Sequence, residues 1–258
     1  MVTRAMDNVS EFIIQGLCDF PECQLPLFVL FLIIYLFIII GNLVIFSIIL
    51  VNSNLHTPMY KFLLSLSITD ISSTSNILPA LLNFLITKQN RMSLFWCMTQ
   101  LYLYLSLAGC EYIVLTAMAY DRYVAICDPL HYITRISEKH CAWLISTSYC
   151  VGLASSVCHI VLISKLSYCN SHLIDHFFCD LIPLLKLSCS DTFNVEILTY
   201  VSGTLLAGNC FLLTLISYIF IISTILKIQS THGRQKAFST CASHLTCVII
   251  LIDPIVCI

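Results

Sequence analysis

Charge is what this sequence has least of. Asp, Glu, Lys and Arg together make up 10% of its 258 residues, whereas hydrophobic residues make up 59%. Soluble domains contain roughly a quarter of charged residues, so the scarcity of charge excludes an ordinary soluble domain and predicts a membrane protein. The formal net charge is −2, whereas proteins that bind nucleic acid carry an excess of basic residues. We therefore expect no nucleic acid as a partner.

Other absences narrow the function further. The sequence contains no nucleophile–base motif and no metal-binding motif, so we expect no enzyme. No repeated half carries paired broken helices, which argues against a transporter. The N-terminal segment has no apolar core of the signal-peptide type, so we expect the first membrane span to serve as the insertion signal.

Long apolar runs are what the sequence has instead of charge. About 20 mostly apolar residues cross a bilayer as a helix, and the alternating pattern of barrel strands is absent. The sequence therefore predicts an all-α polytopic bundle over residues 25–258, preceded by an N-terminal segment over residues 1–24. The predicted spans lie near residues 25–50, 59–86, 97–121, 141–163, 195–226 and 237–258.

The orientation of the chain is suggested by one motif. Asn8-Val9-Ser10 is a glycosylation sequon, and Asn8 can be glycosylated only if the N-terminus lies outside the cell. With that topology, Lys and Arg show only a weak excess on the inside. We expect a multi-pass protein of the plasma membrane with an extracellular N-terminus.

The chain contains 15 cysteines, and four of them lie on the predicted outer side. Cys97 opens the third span, while Cys169, Cys179 and Cys189 lie between spans four and five. An oxidising compartment allows these four to pair, and sequence alone leaves three connectivities open. None has the CxxC spacing of a zinc site. In the same segment His172, Asp175 and His176 either chelate a metal or belong to a solvated loop, and we favour the loop.

Two carboxylates fall inside the predicted spans. Asp70 lies 12 residues after Pro58, and Glu111 lies 11 residues before Arg122 on the antiparallel third span. At ~1.5 Å per residue both are about 16 to 18 Å from the inner surface, so they can face one cavity. Because carboxylates at this depth are costly, we expect them to share a cation, or to be protonated and hydrogen-bonded to Asn42 or nearby hydroxyls.

A charged triplet closes the third apolar run. Asp121, Arg122 and Tyr123 stand where a membrane helix meets water. Charge at this depth is expensive, so it predicts a functional site. The alternative is an interfacial anchor, because Arg at helix ends often reaches into the headgroup region.

These residues belong to a segment with a recognisable pattern. Residues 118–127, MAYDRYVAIC, closely resemble the third-helix signature of olfactory receptors, a branch of the rhodopsin-like G-protein-coupled receptors. Four further blocks match that family in the same order: Gly41-Asn42, residues 55–60 (LHTPMY), Ser217-Tyr218 and residues 236–244 (KAFSTCASH). Each motif alone is only a hypothesis, but five ordered blocks favour membership.

The resemblance implies a fold, a ligand and a partner. It implies disulfides Cys97–Cys179 and Cys169–Cys189, and a sodium ion at Asp70 and Glu111. Small volatile odorants are expected between the outer halves of spans three, five and six. The ligand residues implied are Tyr104, Leu105, Ala108, Gly109, Tyr112, Ser202, Gly203 and Leu206.

The resemblance also implies a switch at the inner end. Its residues are Asp121, Arg122, Tyr123 and Tyr218. We expect Asp121 to hold the Arg122 side chain at rest and ligand binding to release it toward a heterotrimeric G protein of the stimulatory type, which raises cAMP. Membrane lipid surrounds the bundle.

The last apolar run departs from the family pattern. From Leu245 to Ile258 only 14 residues remain, which is about 21 Å of helix against a hydrocarbon core of about 30 Å. We therefore expect a short sixth span and no seventh span. Two interpretations follow: an odorant receptor, or a truncated, non-signalling membrane protein that stays in the endoplasmic reticulum or sequesters partner receptors.

Overall fold

The structure is a computed structural model that describes residues 11–14, 21–87, 90–169 and 172–227. The predicted sixth span, the block 236–244 and the sequon at Asn8 lie outside these residues.

Five long helical segments form the bundle, and they run alternately up and down. They are α1 (Pro21–Val51), α2 (Pro58–Thr87), α3 (Leu94–Cys127), α5 (Glu138–Ile163) and the continuous helix Phe193–Lys227, which consists of α7 (Phe193–Gly203), a π-helical turn (Thr204–Gly208) and α8 (Asn209–Lys227). Two short helices, α4 (Tyr132–Arg135) and α6 (Leu181–Lys186), lie in connections. The fold class predicted from the sequence, a helical bundle of the rhodopsin-like type, is confirmed.

The helices begin at residues whose chemistry suits helix starts. Ser93 precedes α3 and its side chain accepts a hydrogen bond from the Trp96 backbone N–H at 3.4 Å. Ser137 does the same for α5 at the His140 N–H, at 3.3 Å. Such caps satisfy donors that a helix start leaves open.

Four of the described helical segments are long and apolar enough to cross a membrane: Glu22–Val51, Leu94–Cys127, Glu138–Ile163 and Phe193–Lys227. Helix α2 has 30 residues and the same length of span, but Ser and Thr make it less apolar. It lies between α1 and α3, so its polar side chains find protein partners. Thr69, for example, lies 2.9 Å from the hydroxyl of Tyr149 on α5.

A three-stranded sheet closes one end of the bundle, which we call the cap end. Strand β1 (Glu11–Ile14) lies between β2 (Arg91–Ser93), to which it is antiparallel, and β3 (Leu173–Ile174), to which it is parallel. The sequence analysis predicts no strand, because strands this short carry no periodic signal. The opposite end, where α3 and α8 finish, is called the Arg122 end.

The core is divided between the two ends. At the cap end the largest buried cluster surrounds the disulfide Cys97–Cys179 and includes Phe12, Leu101, Ile163, Ile174 and Leu184. Phe12 meets Tyr168 edge to face, with ring centroids 5.4 Å apart. At the Arg122 end a smaller cluster joins α3 to α8 through Ala119, Tyr218, Ile221 and Ile225. The cap end therefore carries most of the packing between connections and helices.

Helix α3 ends later than the apolar run predicts. The run was expected to stop at residue 121, but the helix continues to Cys127. The charges of Asp121 and Arg122 end the apolar run, but they do not end the helix, because both residues tolerate helical geometry. The charged pair therefore lies inside the last turns of α3.

Candidate ligand and signalling site

One disulfide ties the long connection between α5 and α7 to the bundle, and a second closes a loop within that connection. Cys97 at the start of α3 is bonded to Cys179, with Cα atoms 5.2 Å apart, and Cys169 is bonded to Cys189, with Cα atoms 5.9 Å apart. These are the pairings that the resemblance implies. The Cys179 backbone N–H also donates to the buried side chain of Gln100 at 2.9 Å, so the connection is held directly over α3.

The connection places aromatic rings above the predicted ligand residues. Phe178 packs on Tyr104 with ring centroids 5.3 Å apart. His176 stacks on Phe177 at 4.5 Å and meets Phe178 edge to face at 4.5 Å. These rings, together with Tyr104, form an aromatic roof over the part of α3 nearest the cap end. His176, which was expected in a solvated loop, is partly buried by these aromatic contacts.

The predicted ligand residues divide between two environments. Those on α3 named Tyr104, Leu105, Ala108 and Tyr112 are half-buried, as are Ser202 and Leu206 on the facing helix. Gly109 is buried, and a Cβ atom there would lie 3.4 Å from Gly152 Cα and 3.5 Å from Leu206 Cδ2. Gly203 is exposed and no described atom lies within 4 Å of its Cβ position. Gly109 therefore serves close packing between helices in this structure, whereas no described side chain packs on Gly203.

Close contact between α3 and α5 depends on another glycine. A Cβ atom on Gly152 would lie 2.6 Å from Cys110 Sγ and 2.6 Å from the Ser106 carbonyl oxygen. Small residues let membrane helices approach closely. The sequence analysis does not single out Gly152, although a glycine inside a long apolar run is the signal that marks such a position.

The helix opposite α3 changes its winding beside the ligand residues. The turn Thr204–Gly208 is π-helical and follows directly after Ser202 and Gly203. Turns of this kind are common at functional sites. The Asn209 side chain donates to the Leu205 carbonyl oxygen within this turn. The wider turn sets the direction in which Ser202 and Leu206 face.

Asp70 and Glu111 come together as their depths predict. The Ser73 hydroxyl donates to Glu111 Oε1 at 3.0 Å, and Ser73 lies one helical turn after Asp70 on α2. The two carboxylates are close enough to interact electrostatically, and both are half-buried. The Asn42 side chain on α1 donates to the Ile38 carbonyl oxygen of its own helix at 3.1 Å. Carboxylate and hydroxyl oxygens from α2 and α3 therefore lie together at this depth.

At the Arg122 end the partner of Asp121 differs from the expected one. Asp121 is 1% exposed, and its carboxylate accepts a hydrogen bond of 2.8 Å from the Tyr132 hydroxyl. Among the described ion pairs, none joins Asp121 to Arg122 within 4.0 Å. The expected Asp121–Arg122 clasp is therefore wrong for this structure, because adjacent residues on a helix point in different directions.

The remaining switch residues surround this hydrogen bond. Arg122 and Tyr123 are half-buried, and the Tyr123 ring packs on Phe220 of α8 with centroids 5.9 Å apart. Tyr218 is buried in the cluster that joins α3 to α8. The structure thus places Tyr123 and Tyr218 at one helix–helix contact, beside Arg122.

The connection after α3 is ordered by its own polar contacts. Asp128 accepts from His131 Nδ1 at 2.7 Å and pairs with Arg135 Nη2 at 3.2 Å. The hydrogen bond from His131, with the positive charge of Arg135, holds the pKa of Asp128 below its usual range. These contacts set the short helix α4, and therefore Tyr132, against the end of α3. The sequence analysis misses Tyr132 because its partner lies 11 residues away across a turn.

This arrangement defines a class of protein. A bundle of long apolar helices, covalently capped at one end and carrying a buried acid beside an arginine at the other, is a multi-pass membrane protein of the rhodopsin-like receptor type. A sequence profile that describes the olfactory receptor family matches residues 31–258. The chain belongs to the olfactory receptor family, whose members are receptors and not enzymes.

Individual relatives agree with the profile. Olfactory receptor 13G1 of Homo sapiens is 46% identical over 248 residues, which cover 96% of this chain and 81% of that receptor. Olfactory receptor 8A1 of Homo sapiens is 48% identical over 241 residues, covering 93% and 74%. Olfactory receptor 8G50 of Mus musculus is 47% identical over 251 residues, covering 96% and 80%.

Proposed function

We propose that this chain binds small volatile molecules and activates a heterotrimeric G protein of the stimulatory type, so that cAMP rises. The observation that carries the proposal is the match of the chain to olfactory receptors along almost its whole length. Family alone supports ancestry more strongly than activity. The geometry supports each half of the proposed activity separately.

The ligand half rests on the residues that the resemblance implies on α3 and on the helix Phe193–Lys227. Tyr104, Tyr112 and Ser202 are half-buried among them, and Phe178 packs on Tyr104. An apolar lining with a few placed hydroxyls suits a small hydrophobic ligand that one or two hydrogen bonds orient. The disulfide Cys97–Cys179 attaches the connection that carries Phe178 to the start of α3.

The coupling half rests on the Arg122 end. Asp121 is hydrogen-bonded to Tyr132, and among the described residues no ion pair within 4.0 Å includes Arg122. Its guanidinium is therefore available to hydrogen-bond a protein that docks at this end. A ligand that fits a more open arrangement of α3 and α8 better than the closed one shifts the population toward coupling.

The location follows from the same two ends. Disulfides form and persist in oxidising compartments, so the cap end belongs outside the cell and the Arg122 end inside. The disulfides thus support an N-terminus on the outer side, and the match to olfactory receptors supports the plasma membrane as the location.

The coupling role is tested with Arg122→Ala in cells that report cAMP. We expect the odorant-evoked signal to disappear while surface labelling of a tagged chain stays the same, because the guanidinium contacts the G protein and not the core. Arg91→Ala removes an exposed arginine at the cap end and serves as the control. Equal cAMP responses in the parent and in Arg122→Ala contradict the coupling role.

A bound sodium ion is the second part of the proposal. Asp70 and Glu111 offer carboxylate oxygens and Ser73 a hydroxyl, which are the hard ligands that such cations prefer. A cation here offsets the repulsion of two half-buried carboxylates and so stabilises the arrangement in which they are close. The alternative, protonated carboxyls, needs no ion.

The two arrangements respond differently to salt. If sodium binds, replacing N-methylglucamine chloride by sodium chloride at equal concentration raises the apparent unfolding temperature of the purified chain, and Asp70→Asn abolishes the increase. The same unfolding temperature in both salts favours the protonated pair.

A further inference from the structure

The hydroxyl of Ser202 has a partner on the neighbouring helix that limits what it can offer a ligand. His159, on α5, is 7% exposed. Its Nδ1 lies 3.1 Å from the Ser155 carbonyl oxygen, and its Nε2 lies 3.2 Å from Ser202 Oγ. A histidine within a predicted membrane span is itself a sign of a functional position.

The Ser155 carbonyl decides the direction of both hydrogen bonds. A carbonyl oxygen only accepts, so Nδ1 carries a hydrogen and donates to it. In the neutral imidazole Nε2 is then unprotonated and accepts the hydroxyl hydrogen of Ser202. The Ser202 proton is therefore used within the protein.

The same conclusion holds in the other protonation state. If His159 carries a second proton, Nε2 donates to Ser202, and the serine can still donate to the Thr199 carbonyl oxygen, which lies 3.4 Å away. In both states the protein takes up the one hydrogen of Ser202. What the half-buried hydroxyl has left is a lone pair on oxygen.

We infer that His159 makes Ser202 a hydrogen-bond acceptor toward the ligand, so that this site favours odorants with a hydroxyl group over aldehydes, ketones and esters of the same shape. An alcohol donates its hydrogen to Ser202. The carbonyl oxygen of an aldehyde, ketone or ester can only accept a hydrogen bond. Beside Ser202 it meets a lone pair, so the ligand oxygen and the Ser202 oxygen both lack a donor, which is costly in an apolar site. This inference rests on the proposed binding of volatile molecules between α3 and the helix Phe193–Lys227.

His159 acts here as a positioning residue, and its removal should change the preference in a specific way. In His159→Leu no ring nitrogen fixes the rotation of the Ser202 hydroxyl, and the 3.4 Å contact to the Thr199 carbonyl oxygen does not hold it alone, so the hydroxyl can turn and donate to a ligand carbonyl. In Ser202→Ala neither kind of ligand finds a partner at this point. The two substitutions are therefore expected to act on different ligands.

The test measures binding by ligand-induced stabilisation of the purified full chain in lipid nanodiscs. The probes are matched saturated alcohols and aldehydes from 1-butanol and butanal to 1-dodecanol and dodecanal. We expect the parent chain to bind the alcohol of the best pair roughly three- to tenfold more tightly than the aldehyde. Ser202→Ala should lose this advantage by weakening alcohol binding alone.

The double substitution separates a positioning role from general damage. His159→Leu should strengthen aldehyde binding, and adding Ser202→Ala should remove that gain, which is a coupling that two independent defects would not show. Ser72→Ala is the control, because its exposed hydroxyl only donates to the Ile68 carbonyl of its own helix, at 2.8 Å. It should leave every ratio unchanged.

The outcomes distinguish this inference from the function on which it rests. If no pair stabilises the parent chain, the proposed odorant binding is contradicted, and the inference with it. If alcohols and aldehydes bind the parent equally, or if His159→Leu weakens both alike, odorant binding stands and the acceptor role of Ser202 is wrong.

Discussion

The cap end and the Arg122 end of the bundle are held by different kinds of interaction. At the cap end, the disulfide Cys97–Cys179, a three-stranded sheet and the largest buried cluster of the described residues hold the connections on the helices, and Cys169–Cys189 closes a loop within one connection. At the Arg122 end, single hydrogen bonds and ion pairs do so, such as Tyr132 to Asp121 at 2.8 Å and Lys61 to Glu138 at 2.8 Å.

The difference indicates which end can move. Covalent bonds and a packed apolar cluster rearrange only at large cost, whereas an exposed ion pair is worth about 1 kcal/mol or less. The Glu138 side chain of the Lys61 pair is 76% exposed. A ligand bound near the fixed cap end can therefore change the equilibrium at the Arg122 end without disturbing its own site.

Removing the disulfide to α3 should have the largest effect. The bond Cys97–Cys179 spans 82 residues and Cys169–Cys189 spans 20. Losing a native disulfide costs about 2 to 5 kcal/mol, and the longer loop should cost about 1 kcal/mol more by the chain-entropy estimate. Thermal unfolding of Cys97→Ala/Cys179→Ala and Cys169→Ala/Cys189→Ala in one detergent compares them.

The control for both is the parent chain kept non-reduced. A Cys97→Ala/Cys179→Ala chain that unfolds at the parental temperature would mean that packing, and not the disulfide, makes the cap end the fixed one.

Widening the contact between α3 and α5 should have the next largest effect. Gly152→Ala places a methyl group 2.6 Å from Cys110 Sγ, and overpacking of this kind costs about 1 to 3 kcal/mol. Gly41→Ala is the matched control, because no described atom lies within 4 Å of its Cβ position. The unfolding temperature of each variant is compared with that of the parent.

The two glycines differ only in what surrounds them. If Gly152→Ala and Gly41→Ala change the unfolding temperature equally, the close approach of α3 and α5 contributes no stability. The packing of these two helices would then not be what connects the cap end rigidly to the Arg122 end.

Removing one hydroxyl at the Arg122 end should lower the free energy of unfolding by no more than Gly152→Ala does, and it should have a specific local effect. Tyr132→Phe leaves Asp121, which is 1% exposed, without its hydrogen-bond donor, at a cost of about 1 to 3 kcal/mol. We expect the connection after α3 to open more often. Mass spectrometry of maleimide labelling at the free thiol Cys127 reports this opening.

Tyr120→Phe serves as the control, since Tyr120 is 38% exposed on the same helix. Cys127 should react faster in Tyr132→Phe and at the parental rate in Tyr120→Phe. No acceleration in Tyr132→Phe would show that this end is as firmly held as the cap end.

The local sequence was sufficient to predict the helical bundle and the class of protein. Apolar runs longer than 20 residues predicted the five long helices, because a helix that crosses hydrocarbon must be apolar over that length. The depths of Asp70 and Glu111 followed from helix rise alone. The family followed from ordered motifs, of which residues 118–127 carry the most information.

Contacts between residues far apart in the chain could not be predicted from the local sequence. The bond from Ser202 to His159 joins residues 43 apart, and the bond from Cys179 to Gln100 joins residues 79 apart. Such pairs depend on how helices are rotated against each other, and periodicity does not specify that rotation. The same holds for the strand Glu11–Ile14, whose two partners lie in other connections.

Sequence thus established that this chain is a helical membrane receptor, because hydrophobicity and motif order are properties of the chain read along its length. The assembled bundle established which hydroxyl holds Asp121, which glycine of α5 lets α3 approach, and which nitrogen of His159 lies against Ser202. These are decided by side chains that approach one another across the bundle, where a few tenths of an ångström or one shared hydrogen changes the chemistry.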